Sequence, residues 1–443
     1  MIRKLFLVIV MNAFVVEAGR CQTMSMDECM AYAVEHAAEV GRQQYHLANA
    51  GWEYRSAVAS LFPSVSASVA GAANFGRSID PETNNYTTVS TIGNQYGVSG
   101  SMPLFVGMRQ VNAVRLAKTG KLLGMHQVEI ARMQAAAAAM DAYIEALYYK
   151  EMTAIAQKQV DDATALLQKT EKLYALGRKS AADVAEMKSQ KANSDYMLAE
   201  QENKAHLAMI QLRNVINYPQ TMPLLLTDVA DAIPLIAEPA DADTLAAFAL
   251  EHNDRALAAK LQTRQSRIEY AMAKGAALPT LYLYGGYNTS YFTNIDNIAA
   301  YDSFWNQLKN NQGAYVQVGI SIPLFSGLSR TADIARNRNS WNIARINEAE
   351  TLKEIETEVA TTVQQLRGFA KQHIAANAKA QATRMAYDGM KAKYEKGLAS
   401  AIDLQTTATL LLQAEAECLY TGLRYVAQRR MADYYGGKPL IRK

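Results

Sequence analysis

The chain has 443 residues, a formal net charge of +3 and only one fifth charged residues. Charge so evenly balanced excludes the clustered basic face of a nucleic-acid-binding protein, so no nucleic acid is expected as a partner. Three cysteines are too few for a disulfide framework.

Residues 1–21 read as a secretory signal peptide. Arg3 and Lys4 precede an apolar run from Leu5 to Val16, and small residues follow. Cleavage after Ala18 fits this pattern, as does cleavage just before Gln22. Arg20 ahead of Cys21 is a poor match to the small residue that lipid attachment demands. Beyond this segment no apolar run approaches the roughly 18 residues of a membrane-spanning helix. Any membrane crossing by the mature chain would therefore have to be a β-barrel.

The rest of the chain is a tandem repeat, which outranks length as a guide to domains. An offset of 220 carries Tyr174, Gly177, Ser180 and Asp183 onto Tyr394, Gly397, Ser400 and Asp403, and SMPLFVG at Ser101 onto SIPLFSG at Ser321. Nearer the start of each copy the offset is 216, relating Asp27 to Asp243, Glu35-His36 to Glu251-His252 and Pro63 to Pro279. The expected organisation is a first repeat at 22–219, a linker at 220–239, a second repeat at 240–437 and a C-terminal tail at 438–443.

Each copy opens with a helical segment, about 25–61 and 243–277, ending at Pro63 or Pro279. A β-hairpin follows, at 63–105 and 279–325. Next comes a proline-free segment of good helix formers, 107–173 and 327–396, about 100 Å long at 1.5 Å per residue. A glycine corner then leads into a shorter helix, 181–217 and 401–435, of about 55 Å. Two short helices laid end to end match one long one. The chain direction suggests that the helix rising from Gly177 is continued by the one at Asp243, and that from Gly397 by the N-terminal one. At each corner, Gly177 or Gly397 supplies the left-handed turn that closes a helix. Ser180 with Asp183, and Ser400 with Asp403, resemble a capping box with Asp in place of Glu. The stripe Leu404, Leu411, Cys418, Tyr425, interleaved with Thr407, Ala414 and Thr421, has the heptad spacing of coiled-coil contacts and makes Cys418 a small packing residue.

The hairpin segments alternate. Val316, Val318, Ile320 and Ile322 point one way, and Gln317, Gly319 and Ser321 the other. Tyr96, Val98 and Met102 oppose Gly97, Ser99 and Ser101. Ser64 to Val69 repeats the pattern, and LYLYGGYNTSY from Leu281 adds a Tyr-rich fourth strand. Segments of about 10 residues with one apolar face fit a transmembrane barrel, although a soluble sandwich alternates equally well. Four strands cannot close a barrel, so several chains would share one. Eight strands would be filled by side chains, whereas twelve leave room for a bore. Residues 74–93 and 288–313 read as long polar loops.

These features together, the S-[MI]-P-L-F-x-G junction leaving each hairpin and the Y-x-x-G-x-x-S-x-x-D corner above all, resemble the TolC-type outer-membrane efflux channels. The resemblance covers essentially the whole mature chain. It implies a mixed fold, a long antiparallel α-helical coiled-coil barrel plus four β-strands per chain contributing to a shared trimeric twelve-stranded transmembrane β-barrel in the outer membrane of a Gram-negative bacterium. It further implies a homotrimer embedded in outer-membrane lipid, with a periplasmic adaptor protein and an inner-membrane transporter as partners. Asp183 and Asp403 match the acidic ring of the periplasmic gate. The adaptor-contact turns correspond to Tyr174, Gly177, Arg178, Lys179 and Ser180, and to Tyr394, Gly397, Leu398, Ala399 and Ser400. Arg178 and Lys179 depart from the usual form, so the two turns are not interchangeable. Thr406 stands where some members carry a further acid. Pro63, Pro103, Gly107, Pro279, Pro323 and Gly327 mark the strand–helix junctions.

No catalytic constellation, cofactor site or metal site is visible. Glu35-His36 with Glu39 has ligand-like spacing, but Glu251-His252 keeps only the pair, and neither forms His-Glu-x-x-His. A phosphate-binding glycine loop and a nucleophile elbow are both lacking. The expected function is passive conduction of small toxic compounds, as the exit duct of a tripartite efflux pump. The alternatives are the exit duct of a type I protein secretion system and a non-conducting periplasmic coiled coil.

Overall fold

The structure, a computed structural model, describes residues 22–79, 84–227 and 241–442. The expected signal peptide with Cys21 lies outside these residues, as does most of the inter-repeat linker. The chain forms two compact units. One comprises the described residues up to 42, with 129–253 and 353 onward; the other comprises 43–128 and 254–352.

Within the described residues the elements run β1 (Gln22–Met24), α1 (Met26–His36), α2 (Ala38–Ala59), β2 (Ser64–Ile79), β3 (Tyr86–Val106), α3 (Arg109–Ala175), α4 (Ala181–Val215), β4 (Leu224–Leu226), α5 (Ala242–His252), α6 (Asp254–Gly275), β5 (Thr280–Asn294), α7 (Phe304–Asn310), β6 (Gly313–Ser321), α8 (Ser329–Glu395) and α9 (Ala401–Tyr435). The two long helices, α3 and α8, have 67 residues each, and the two following the corners have 35 each. The repeat thus reproduces helix lengths residue for residue.

Each N-terminal helical segment is broken, contrary to the single helix expected. Ala37 is extended (φ −66°, ψ 121°) and so is Asn253 (φ −69°, ψ 134°). The same local arrangement precedes both breaks. The His36 ring stacks on Tyr32 at 3.9 Å and its Nδ1 lies 2.9 Å from the Tyr32 carbonyl. His252 does the same with Phe248, at 4.2 Å and 3.1 Å. The Glu-His pair thus forms the last two residues of the helix in both copies.

In the first unit, β1 and β4 form a short parallel pair, Gln22 opposite Leu224 and Met24 opposite Leu226. This pair lies over a core of Cys29, Met30, Met140, Tyr143, Leu147, Leu212 and Ile216. Tyr143 keeps its buried hydroxyl satisfied by donating to the Thr227 carbonyl at 2.7 Å. Burial pushes the Cys29 thiol up to about 12, which makes it a small apolar filler. Arg430 holds Asp27 through two hydrogen bonds of 2.7 and 2.9 Å, and Leu440 of the tail is buried beside them.

The short helices do not meet across the repeats as expected. The end of α4 abuts α1 of its own repeat, where Asn217 donates to the His36 carbonyl and Tyr218 packs edge-on against Tyr32. The end of α9 abuts α5, with Gly437 against the Phe248 ring. Pairing of β1 with β4 ties the start of the first repeat to the end of its own α4, which decides the match there. Of the heptad stripe, Leu404, Leu411, Ala414, Thr421 and Tyr425 are buried, while Thr407 and Cys418 are half-buried.

In the second unit, four antiparallel strands form one sheet in the order β2-β3-β5-β6. Strands β2, β3 and β5 run further than expected, so 74–79, 86–93 and 288–294 are strand rather than loop. Beyond Asn288, no strand among the described residues pairs with β5 on its β6 side. The helix α7 covers that edge: Gln307 accepts from the Phe292 N–H at 2.9 Å and donates to its carbonyl at 2.8 Å, and Asn311 donates to the Ser290 carbonyl. Side-chain amides here take the place of a ladder partner, one of the ways in which proteins manage an edge.

Candidate functional site: the two glycine corners

Both corners follow one design. Gly177 (φ +70°) and Gly397 (φ +77°) take the left-handed conformation. The Arg178 N–H bonds the Leu173 carbonyl at 2.9 Å and the Gly177 N–H that of Tyr174 at 2.9 Å; Leu398 and Gly397 repeat this toward Lys393 and Tyr394. This is a Schellman closure, and it satisfies carbonyls that the helix end leaves open. Three residues later a reciprocal capping box starts the next helix. Asp183 accepts from the Ser180 N–H at 2.8 Å, while the Ser180 hydroxyl accepts from the Asp183 N–H at 3.1 Å. Ser400 and Asp403 match at 3.2 and 3.1 Å.

The caps set the charge of both aspartates. The Ser180 backbone N–H, then its hydroxyl, hold the Asp183 carboxyl below the usual carboxylate range, with Lys179 adding to the effect. The Ser400 hydroxyl, then its N–H, do the same for Asp403. Both are carboxylates at neutral pH.

The corners differ in their surroundings. Tyr394 is 3% exposed and Tyr174 49%. Leu166, Met187, Ala401 and Leu404 enclose Tyr394, and its hydroxyl meets Thr170 Oγ1 at 3.3 Å. Lys179 of the first corner lies over the Tyr394 ring at 4.6 Å and reaches Asp183 at 3.5 Å. Further ion pairs bind α3 to α8 nearby, Lys391 to Asp162 at 2.7 Å and Lys169 to Glu395 at 2.9 Å. The remaining corner residues, Arg178, Ser180, Gly397, Leu398 and Ser400, are exposed, and Ala399 is half-buried. Leu176, also exposed, was not singled out by the corner motif, because its counterpart in the repeat is Lys396 and the pattern does not repeat there.

At the strand–helix junctions, Pro63 and Pro279 stand just ahead of β2 and β5. Pro103 lies inside β3, at a register shift between Pro103 and Phe105, whereas Pro323 lies beyond the end of β6. Gly107 (φ +61°) and Gly327 (φ +58°) both turn the chain into a long helix. A Cβ on Gly107 would overlap the Gly275 backbone, while one on Gly327 would meet open space. Gly275 went unnoticed in the sequence, since its counterpart in the first repeat is Ala59. No cluster of three or more His, Cys, Asp or Glu able to hold a metal occurs among the described residues.

The fold is that of outer-membrane channels. It is shared with the outer membrane protein VceC of Vibrio cholerae, at TM-score 0.76 and 15% identity over 94% of this chain and 96% of that one. The CmeC outer membrane channel of Campylobacter jejuni gives 0.76 and 16% over 93% and 85%. The model of the outer membrane efflux protein family matches residues 32–218 and 245–437, one stretch in each repeat, and the chain belongs to that family. Among curated relatives, the outer membrane efflux protein BepC of Brucella suis biovar 1 (strain 1330) is 23% identical over 378 residues, covering 83% of this chain and 78% of that protein. The chain is accordingly a protein of the Gram-negative outer membrane.

Proposed function

We propose that the chain is the exit duct of a tripartite efflux pump, passively conducting small toxic compounds delivered by an inner-membrane transporter and a periplasmic adaptor. Three copies share one twelve-stranded barrel. The observation that carries this reading is the sheet. One face is apolar through Val98, Val316, Val318 and Ile320, and both edges, β2 and β6, end without a partner strand among the described residues. Hydrocarbon does not tolerate open edges, so a sheet of this kind is completed by further copies. The other face carries small and polar residues, Gly97, Ser99, Gln317 and Gly319, together with Tyr282 and Tyr284 of β5, a face suited to a wide bore rather than to a packed interior.

The corners supply the inner entrance. Asp183 and Asp403 are the gate carboxylates, and the turns at 177–180 and 397–400 are the adaptor contacts, with Tyr174 beside the first; Tyr394, expected beside the second, is packed inside and supports that turn rather than facing a partner. Conduction asks for no covalent chemistry, and energy comes from the transporter.

Single-channel conductance in planar bilayers tests the reading, with wild type set against Asp183→Asn/Asp403→Asn. Asn keeps an acceptor for the cap and removes the charge. A discrete conductance whose block by cations weakens in the double variant supports both duct and gate. A discrete conductance with unchanged cation block keeps the duct and reduces the aspartates to caps. A folded oligomer without conductance overturns the duct.

A further inference from the structure

The two hairpins diverge at one place, and a cleft lies there. β2 and β3 stay paired out to Ile79 opposite Tyr86, whereas β5 and β6 part beyond Asn288 opposite Gly313. The second hairpin places α7 there, which has no counterpart among the described residues of the first. Between α7 and the sheet is a cleft of about 570 Å³, a size within the range of about 300–1,000 Å³ found for small-molecule sites. Register fixes which way it opens. Ala70 lies in one row with Gln95 and Ser290, and Ala72 in the next with Gly93 and Phe292. Stepping by two residues, these rows continue those of Ser99 and Gly97, so the cleft opens on the face proposed to line the bore.

The floor of the cleft is cleared and its wall is fixed. Ala70, Ala72 and Gly93 offer at most a methyl group to whatever lies above them. In the wall, the buried Gln307 amide that bridges the Phe292 N–H and carbonyl also donates to the Asp302 carbonyl at 2.9 Å, and Thr289 donates to the Leu308 carbonyl at 2.7 Å. Phe304 pins α7 to the opposite face of the sheet, edge-on to Tyr291 at 5.0 Å and to Tyr96 at 6.3 Å. A wall held this way loses little freedom when a ligand arrives.

The groups left over are amides. Asn74, Gln95 and Asn310 line the cleft, stand exposed and have no hydrogen-bond partner for their side chains among the described residues. Each brings an acceptor oxygen and two N–H donors. Phe292, half-buried, adds an aromatic surface. The described lining residues include one acid, Asp302, and no Lys, Arg or His, which disfavours an anion. A sugar ring suits this lining. Its hydroxyls donate and accept at once, as the amides do, and its C–H face is apolar enough to lie against Phe292.

We infer that this cleft binds uncharged sugar rings, those of a glycoside or a short oligosaccharide. Where the site faces rests on the bore reading; its chemistry does not. A sugar carried on a cargo molecule and one presented from outside the cell offer the same hydroxyls, so the two sources differ only in the side from which they reach the cleft.

Saturation-transfer NMR on the full-length protein in detergent, with maltotriose and chitotriose as probes, tests binding without asking for conduction. At least one of the two is expected to bind with a Kd of about 1 mM. Asn74→Ala/Asn310→Ala and Gln95→Ala are each expected to weaken binding about fivefold, and Ala72→Leu, which fills the floor, to abolish it. Gln317→Ala, on the same face but outside the cleft, is expected to change nothing. Should Ala72→Leu not fold, the alanine variants, which remove only exposed and unpartnered amides, decide alone. No transfer to either sugar overturns the inference. Transfer undiminished in the cleft variants overturns the site, and tighter binding of trigalacturonate, an anionic trisaccharide, overturns the uncharged class. Single-channel recordings with the same sugars separate the sources. Current blocks from sugar added on the side of the glycine corners support a glycosylated cargo, and blocks only from the side of α7 support an external glycan. Sugar binding by a folded protein without conductance keeps the site and overturns the duct, whereas conductance without sugar binding keeps the duct and overturns the site.

Discussion

The Lys179 ammonium of the first corner lies 4.6 Å from the centre of the Tyr394 ring of the second. The same ammonium reaches the Asp183 carboxylate at 3.5 Å, so one side chain joins a cap of one corner to the packed ring of the other. Arg178 and Lys179 are where the two turns differ in sequence, and Lys179 is what that difference builds. A cation over an aromatic face contributes about 1 kcal/mol when partly buried. Lys179→Met keeps the stem and removes the charge. It is expected to speed amide exchange at 394–404 about fivefold and to leave exchange in the core around Tyr143 unchanged. Exchange unchanged at 394–404 as well would mean that the clasp contributes nothing.

Removing a cap separates local from global order. Ser180→Ala and Ser400→Ala each delete a hydroxyl that accepts from the third helical N–H, at a cost of about 1 kcal/mol. The loss is expected at the first turn of α4 or α9, read by amide exchange at 181–184 or 401–404. The melting temperature should hardly move, because the caps stand far along the chain from the core of Met30, Tyr143 and Leu212. A fall of many degrees would place the corners inside the cooperative core.

The aspartates should make the corners insensitive to pH over the neutral range. Both carboxyls titrate lower in the folded chain than in the unfolded one. Their contribution is therefore fully present above the ordinary carboxylate value of about 3.9 and is lost as pH falls through the depressed folded value. Exchange at the two first turns, corrected for the intrinsic rate, is expected to be flat from about pH 8 to 5 and to rise only below about 4. An inflection near pH 6 would assign control of the corners to a histidine instead.

The three junction glycines rank by space rather than by motif. Gly107→Ala and Gly275→Ala each force a methyl group into backbone, and Gly107 also needs a positive φ. Gly327→Ala meets open space and carries only the left-handed penalty, about 1–2 kcal/mol. The yield of folded protein in outer membranes is expected to collapse for the first two and to stay within a few-fold of wild type for Gly327→Ala. Equal loss in all three would show that φ alone matters.

Much of this protein was legible in its sequence because the interactions that shape it are short-ranged. Glycine closures, Ser-x-x-Asp caps, two-residue alternation and heptad stripes act over two to seven positions, so their spacing alone announces 67-residue helices, corners and amphipathic strands. The repeat added the second hairpin by analogy with the first. What only the tertiary structure decided lies in contacts between distant segments. The breaks at Ala37 and Asn253 come just after a histidine stacked on an aromatic four residues earlier, a pattern that looks like an ordinary helix face in a linear reading. Which short helix abuts which depended on β1 pairing with β4, across some 200 residues. The burial of Tyr394 but not Tyr174 arose because the surroundings of equivalent residues need not be equivalent. Gly275 matters only because Gly107 lies against it, and a close approach of two backbones leaves a signature in space before it leaves one in sequence.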